Sequence, residues 1–170
     1  MKKLFFVFAA LVVFFGITSN INAQTATAQA SADASATIVT PLEINKVADL
    51  KFGNIAAGPV AGVVVMSTDD VRTSDGGVTL IAAGNESNAA SFDITGAPDA
   101  TFTIDLPESI LIYADGDKME VNDFVSNLGD NSTLSNEGTA NLKVGATLIV
   151  EANQTPGLYE GTFDVTVAYN

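Results

Sequence analysis

Apolar and polar residues alternate with a period of two through most of the chain beyond residue 24. This alternation is typical of β-strands with one buried face, because successive side chains along a strand point to opposite faces. The predicted inward-facing residues are Phe92 and Ile94; Phe102, Ile104 and Leu106; Leu142, Val144, Ala146, Leu148 and Val150; and Tyr159, Phe163, Val165, Val167 and Tyr169. No window shows a sustained helical period, so the pattern predicts an all-β sandwich.

Two apolar runs and several turn sequences complete this prediction. The runs over 60–66 and 78–83 are typical of central strands that are covered on both faces. Pro156 followed by Gly157 predicts a type II turn that joins the last two strands as an antiparallel hairpin. The segment 129–139 is rich in turn-forming residues and predicts a surface loop.

Residues 1–23 predict a secretory signal peptide. Lys2 and Lys3 precede an apolar run over residues 4–17, and small and polar residues follow it. The run is shorter than the roughly 20 residues that a membrane-spanning helix needs, which argues against the alternative of a membrane anchor. We expect cleavage after Ala23, with Ala30 as a second candidate, an exported protein, and no membrane span in the mature chain.

Composition narrows the chemistry that the chain can perform. The whole sequence has 7 basic and 20 acidic residues, and the predicted leader removes two lysines, so the mature net charge is −15. A surface this acidic repels nucleic acid and anionic lipid, and we exclude both as general partners. The chain has no Cys and no His, which excludes thiol and imidazole catalysis, zinc fingers and disulfides. We expect no cofactor.

An alanine-rich tract occupies residues 24–36. Its apolar positions are Ala26, Ala28, Ala30, Ala32, Ala34 and Ala36. In a strand these alanines face one way, whereas a helix would scatter them around its axis. The tract therefore predicts a donor strand that adds to the sheet of a neighbouring copy. The alternatives are a small-residue linker or the first strand of the chain's own sandwich, which we place at 37–170.

Three phrases carry a resemblance to a known family. They are LKFGNI at 50–55, LKVGATL at 142–148 and GLYEGTFDVTVAY at 157–169. Over roughly residues 36–170 the chain resembles exported bacterial proteins catalogued as domain of unknown function four-four-zero-two. That family is similar to major subunits of Mat/Ecp-type fimbriae and, more loosely, to spore-coat-protein-U-like pilins. The resemblance implies an immunoglobulin-like antiparallel β-sandwich of a Gram-negative bacterium, located in the periplasm, at the cell surface or outside the cell.

The end of the chain also resembles chaperone–usher pilins. Gly157 is fourteenth from the C-terminus, Tyr169 is the penultimate residue, and apolar residues alternate between them. In such pilins this strand pairs first with a periplasmic chaperone and then lines the groove that accepts the next subunit's N-terminal strand. The resemblance implies as partners further copies of the chain, a periplasmic chaperone and an outer-membrane usher. It implies as acceptor residues Gly157, Tyr159, Phe163, Val165, Val167 and Tyr169.

The remaining candidate chemistry is a cluster of carboxylates. Asp115, Asp117, Glu120 and Asp123 lie within nine residues, and their oxygen atoms are ligands that Ca²⁺ prefers. The alternative is a set of solvated acidic turn residues, since the spacing does not match a calcium-binding loop. No phosphate-binding loop or serine-elbow motif occurs in the sequence. We therefore expect a non-enzymatic, pilin-like structural protein, or alternatively a monomeric sandwich that binds a carbohydrate or protein through its loops.

Overall fold

The computed structural model describes residues 27–170, and the predicted signal peptide and Ala26 lie outside the described residues. The chain divides into two units, of which the second, Ile38–Asn170, contains all of the described strands. These strands are β1 (Glu43–Ala48), β2 (Ile55–Met66), β3 (Arg72–Leu80), β4 (Ala90–Thr95), β5 (Thr101–Asp105), β6 (Ser109–Ala114), β7 (Asp117–Ser126), β8 (Asn131–Thr133), β9 (Thr139–Val150) and β10 (Thr166–Tyr169). Within residues 27–170 there is no helix that is long and apolar enough to cross a membrane.

The strands form two antiparallel sheets. The larger sheet has seven strands and contains the order β1-β4-β9-β2-β3, with β7 paired to β9 and β6 paired to β7. The smaller sheet has the order β10-β5-β8. Phe102 on β5 lies in one apolar cluster with Phe92 and Ile94 on β4, so side chains of both sheets share a core. The predicted all-β sandwich is confirmed.

Strand β9 forms the centre of the larger sheet. One of its edges pairs with β4 over the first half and with β2 over the second half, while the opposite edge pairs with β7. Its five alternating apolar residues, from Leu142 to Val150, are all buried, as the sequence pattern predicts. Both backbone edges of β9 are therefore occupied.

The final strand does not pair as the sequence predicted. The turn at Thr155-Pro156-Gly157 does not form a hairpin with β9, because β10 pairs with β5 in the smaller sheet. The physical reason is that β9 has no free edge to offer to a further strand.

Two other predictions also need correction. The runs at 60–66 and 78–83 are not covered on both faces, since Val60 is 63% exposed and Ile81 is 41% exposed. The smaller sheet covers only one face of the larger one, and β3 is an edge strand. The predicted surface loop at 129–139 contains the short strand β8 and the buried side chain of Leu134, whose backbone N–H donates to the carbonyl of Ala100 over 2.9 Å.

Candidate functional site

The C-terminal segment runs alongside both sheets. The backbone of Glu160 exchanges two hydrogen bonds with that of Tyr113, at the free side of β6, with N···O distances of 2.9 and 3.0 Å. Further along, residues Thr166–Tyr169 pair with β5 without any shift of register. The end of the chain is thus held to the larger sheet at one point and to the smaller sheet through a continuous ladder.

From Phe163 to Tyr169 half-buried residues alternate with exposed ones along the C-terminal segment. The side chains of Tyr159, Phe163, Val165, Val167 and Tyr169 are half-buried, whereas Gly157 is exposed beside Ala114. Tyr159 packs on one core cluster, and the other four residues pack on the second.

Aromatic packing fixes the middle of this segment. The Phe163 ring lies edge-on to the Phe92 ring at a centroid distance of 6.5 Å, and 5.0 Å from the Phe124 ring. Leu42, directly before β1, and Ile44, within β1, pack half-buried on the same cluster. We call the set formed by Leu42, Ile44, Phe163, Val165, Val167 and Tyr169 the apolar seam. Its members keep part of their apolar surface in contact with solvent.

The hydroxyl group of Tyr169 joins three parts of the chain. It donates a hydrogen bond to the carbonyl of Thr40 over 2.9 Å and accepts one from the backbone N–H of Ala97 over 2.7 Å. Ala97 belongs to the connection between β4 and β5, and Thr40 precedes β1. The sequence singled out Tyr169 by its position, but neither hydrogen-bond partner carried a recognisable signal.

The outer strands differ in how easily another strand could pair with them. Edge strands are commonly protected by bulges, charges or short length. Strand β3 carries Asp75 and an irregularity around Gly76, and β8 has only three residues. On β1, Lys46 pairs with the buried Phe92 and so lies on the core-facing side, next to a bulge. Strand β10 is short as well, with four residues, but within Thr166–Tyr169 it carries no charged side chain and no bulge.

The described part of the alanine tract forms no strand within the chain. Every residue from 27 to 41 is exposed, including Ala28, Ala30, Ala32, Ala34 and Ala36. The interpretation of the tract as the first strand of its own sandwich is wrong, because β1 begins at Glu43. The linker and the donor strand remain open.

The structure does not gather the four candidate calcium ligands. Asp115 and Gly116 form the tight turn between β6 and β7, both with positive φ (47° and 97°), as a type I′ hairpin requires. Asp117 starts β7, and Glu120 and Asp123 follow along that strand, so the acids are spread over about 20 Å of chain at roughly 3.3 Å per residue. Among residues 27–170 no group of three or more carboxylates is close enough to hold a metal ion.

A polar depression lies on the face of the larger sheet that points away from the core, where Ser91 on β4 and Lys143 on β9 line it. The Lys143 ammonium is 2.6 Å from Asp70, whose second carboxylate oxygen accepts the backbone N–H of Ala89 over 2.9 Å. These hydrogen bonds, that from Lys143 first, lower the pKa of Asp70. The depression has a volume of about 480 Å³ and is also lined by Asp49, Lys51, Glu86 and Asn88. No functional role was predicted for these residues from the sequence.

Comparison with known proteins bears on the fold as a whole. The family model described as Domain of unknown function (DUF4402) matches residues 42–169. The chain belongs to this family. The match begins just before β1 and ends within β10, so it spans both sheets and leaves the alanine tract outside. Searches of the curated proteins and of the solved structures found no match.

Proposed function

We propose that this DUF4402 protein is an exported, non-enzymatic surface protein whose copies assemble by strand addition, in the manner of a fimbrial subunit. The alanine tract of one copy would add to the free edge of β10 in another copy. The observation that carries the proposal is the edge of β10, which is uncharged and unpaired within the described part of the chain and lies next to the half-buried apolar seam. A periplasmic chaperone and an outer-membrane usher are the partners that we propose for export and assembly.

The apolar seam supplies a reason for an additional strand. Phe163, Val165, Val167 and Tyr169 face the core but stay half-buried, because no strand formed by residues 27–170 lies beyond β10 in the smaller sheet. A further strand would cover part of this apolar surface, at roughly 25 cal/mol per Å² removed from water. It would also satisfy the backbone N–H and C=O groups that an edge strand leaves unpaired.

The alanine tract has properties that suit the complementary strand. Its residues from 27 to 37 are exposed and have no strand partner among the described residues, so their backbone groups are available. Alternation places alanines on one face, and Thr, Gln, Ser and Asp side chains on the other. Because alanine buries little area, the backbone ladder would contribute most of the binding free energy.

A matched pair of substitutions in the tract tests the proposal. Ala30→Lys places a charge on the face that would enter the seam, whereas Ser31→Lys places the same charge on the solvent face. We expect the chain from residue 24 to form high-mass assemblies, detected by sedimentation and electron microscopy. Ser31→Lys should assemble like the parent, Ala30→Lys should assemble at least about tenfold more slowly, since a buried unpaired charge is strongly unfavourable, and deletion of 24–36 should leave monomers.

The same experiment can overturn the proposal. Assemblies of unchanged size after deletion of 24–36, or equal effects of the two lysine substitutions, would show that the tract is not a donor strand. Material that is monomeric when isolated from its native host would favour the second candidate function, a monomeric sandwich that binds a carbohydrate or protein. The polar depression beside Lys51, Asp70 and Lys143 favours that candidate, because its mixed charges and amide can hydrogen-bond a polar ligand.

A further inference from the structure

We infer that the hydroxyl group of Tyr169 anchors the point at which the N-terminal tract leaves the domain, so that the last strand and the root of the tract are held together. We call residues 38–41 the arm root. The anchoring is a property of a single copy, and its consequence for assembly rests on the proposed function.

The Tyr169 hydroxyl donates one hydrogen bond and accepts another. Its proton goes to the Thr40 carbonyl, at 2.9 Å, and its oxygen accepts the Ala97 N–H, at 2.7 Å. The Tyr169 ring at the same time packs on the second core cluster, and its backbone pairs with Phe102. The arm root is therefore attached to a residue whose ring packs on the core and whose backbone pairs with β5.

The surrounding backbone leaves room for this hydroxyl only because residue 96 is a glycine. A Cβ atom on Gly96 would collide with the Tyr169 hydroxyl and would lie 2.9 and 3.0 Å from methyl groups of Leu134 and Leu42. The N–H of Gly96 donates to the carbonyl of Gly138 over 2.8 Å, which holds the connection in place. Glycine at position 96 thus leaves space for the Tyr169 hydroxyl between the backbone of Thr40 and that of Ala97.

The arm root has few other attachments. Residues 38–41 are exposed, Ile38 to 97%, and within residues 27–170 the bond from Tyr169 is the hydrogen bond that ties them to the sandwich. Pro41 has a restricted φ and favours an extended conformation for Thr40. A hold on Thr40 consequently restricts the short link between this residue and β1.

The anchor couples the two assembly elements of one copy. A strand that pairs with β10 would restrain Tyr169, and through its hydroxyl it would restrain Thr40. A copy with a filled acceptor edge would then present its own tract from a better-defined position than a copy with an empty edge. This coupling would favour growth by successive addition, since an occupied copy would be the better donor.

Spin labels can measure the anchor directly in the monomer, because the chain has no native cysteine. We would label Ile38→Cys in the arm root and Thr73→Cys on β3 and measure their distance distribution at protein concentrations that give monomers. Tyr169→Phe keeps the ring and removes both hydrogen bonds. Loss of such bonds should raise the detached population of the arm root about 2- to 10-fold and broaden the distribution. Tyr113→Phe, at a side chain that is 52% exposed, is the matched control and should leave it unchanged.

The outcomes separate this inference from the proposed function. An unchanged distance distribution in Tyr169→Phe would overturn the anchor, whether or not the protein assembles. If Tyr169→Phe does not fold, Gly96→Ala, whose added methyl group displaces the hydroxyl, should produce the same broadening, and its absence would equally overturn the anchor. If the parent chain fails to assemble, the proposed function fails, while the label distances still decide the anchor.

Discussion

Removal of the Phe163 ring tests whether the C-terminal segment contributes to the core before any partner binds. Phe163 has no regular strand around it, yet its ring contacts Phe92 and Phe124 from the side of the apolar seam. If these contacts are part of the folded domain, Phe163→Ala should weaken it substantially. If the segment is held only by β10, the substitution should matter little.

The expected magnitude follows from the partial burial of the ring. A Phe→Ala change at an enclosed position costs about 3–5 kcal/mol, and each aromatic pair contributes about 0.5–1.5 kcal/mol beyond the buried area. Because Phe163 is half-buried, we expect the free energy of unfolding to fall by about 2–3 kcal/mol. With a urea dependence of about 1–3 kcal/mol per molar, the unfolding midpoint should fall by about 0.7–3 M.

The assay is urea unfolding of the chain from residue 24, followed by far-ultraviolet circular dichroism at concentrations where the protein is monomeric. Thr162→Ala, at an exposed neighbouring position, is the control and should change stability by less than about 0.5 kcal/mol. Equal midpoints for the two variants would refute the conclusion that the segment before β10 packs on the core.

Two further predictions concern the frame of the sandwich. Asp70→Asn should lower the free energy of unfolding by about 0.2–1 kcal/mol at neutral pH and by less at high salt, because its partner Lys143 is partly exposed. Since the contact with Lys143 lowers the pKa of Asp70, this contribution to stability should be present above about pH 4 and be lost as the pH falls through the lower, folded-state pKa. A parent and a variant that lose stability in parallel down to about pH 2 would contradict this prediction. Gly77→Ala should lower the thermal midpoint by several degrees, because its Cβ would collide with the backbone carbonyl of Val60, whereas the Cβ of Gly129→Ala would make only an ordinary contact, 3.8 Å from the backbone oxygen of Asn131, and should change the midpoint little. Equal midpoints for the two variants would show that β2 and β3 can separate without loss.

Much of the fold could be predicted because a buried strand face has a period of two. Phe92, Ile94 and Phe102 are buried where the alternation placed them, and so are the five residues along β9. Turn chemistry was equally informative at Asp115 and Gly116, since few residues other than these tolerate positive φ in a two-residue turn. These features depend on neighbours in the sequence.

Pairing partners could not be predicted in the same way. The Pro156–Gly157 turn has the local chemistry of a hairpin, but the intended partner strand already has neighbours on both edges. The same limitation applies to the charged residues. Nothing in the sequence around Asp70 indicates that its carboxylate reaches Lys143, 73 residues further along the chain.

The sequence by itself determined that this protein is built from strands, which residues face its core, and that its chemistry lacks thiols and imidazoles. Only the tertiary structure decided which strand edges are occupied, that β10 ends the smaller sheet, and that the Tyr169 hydroxyl reaches Thr40. Side-chain periodicity is a local property of an extended chain, whereas the pairing of an edge depends on competition among all strands for a limited number of backbone partners.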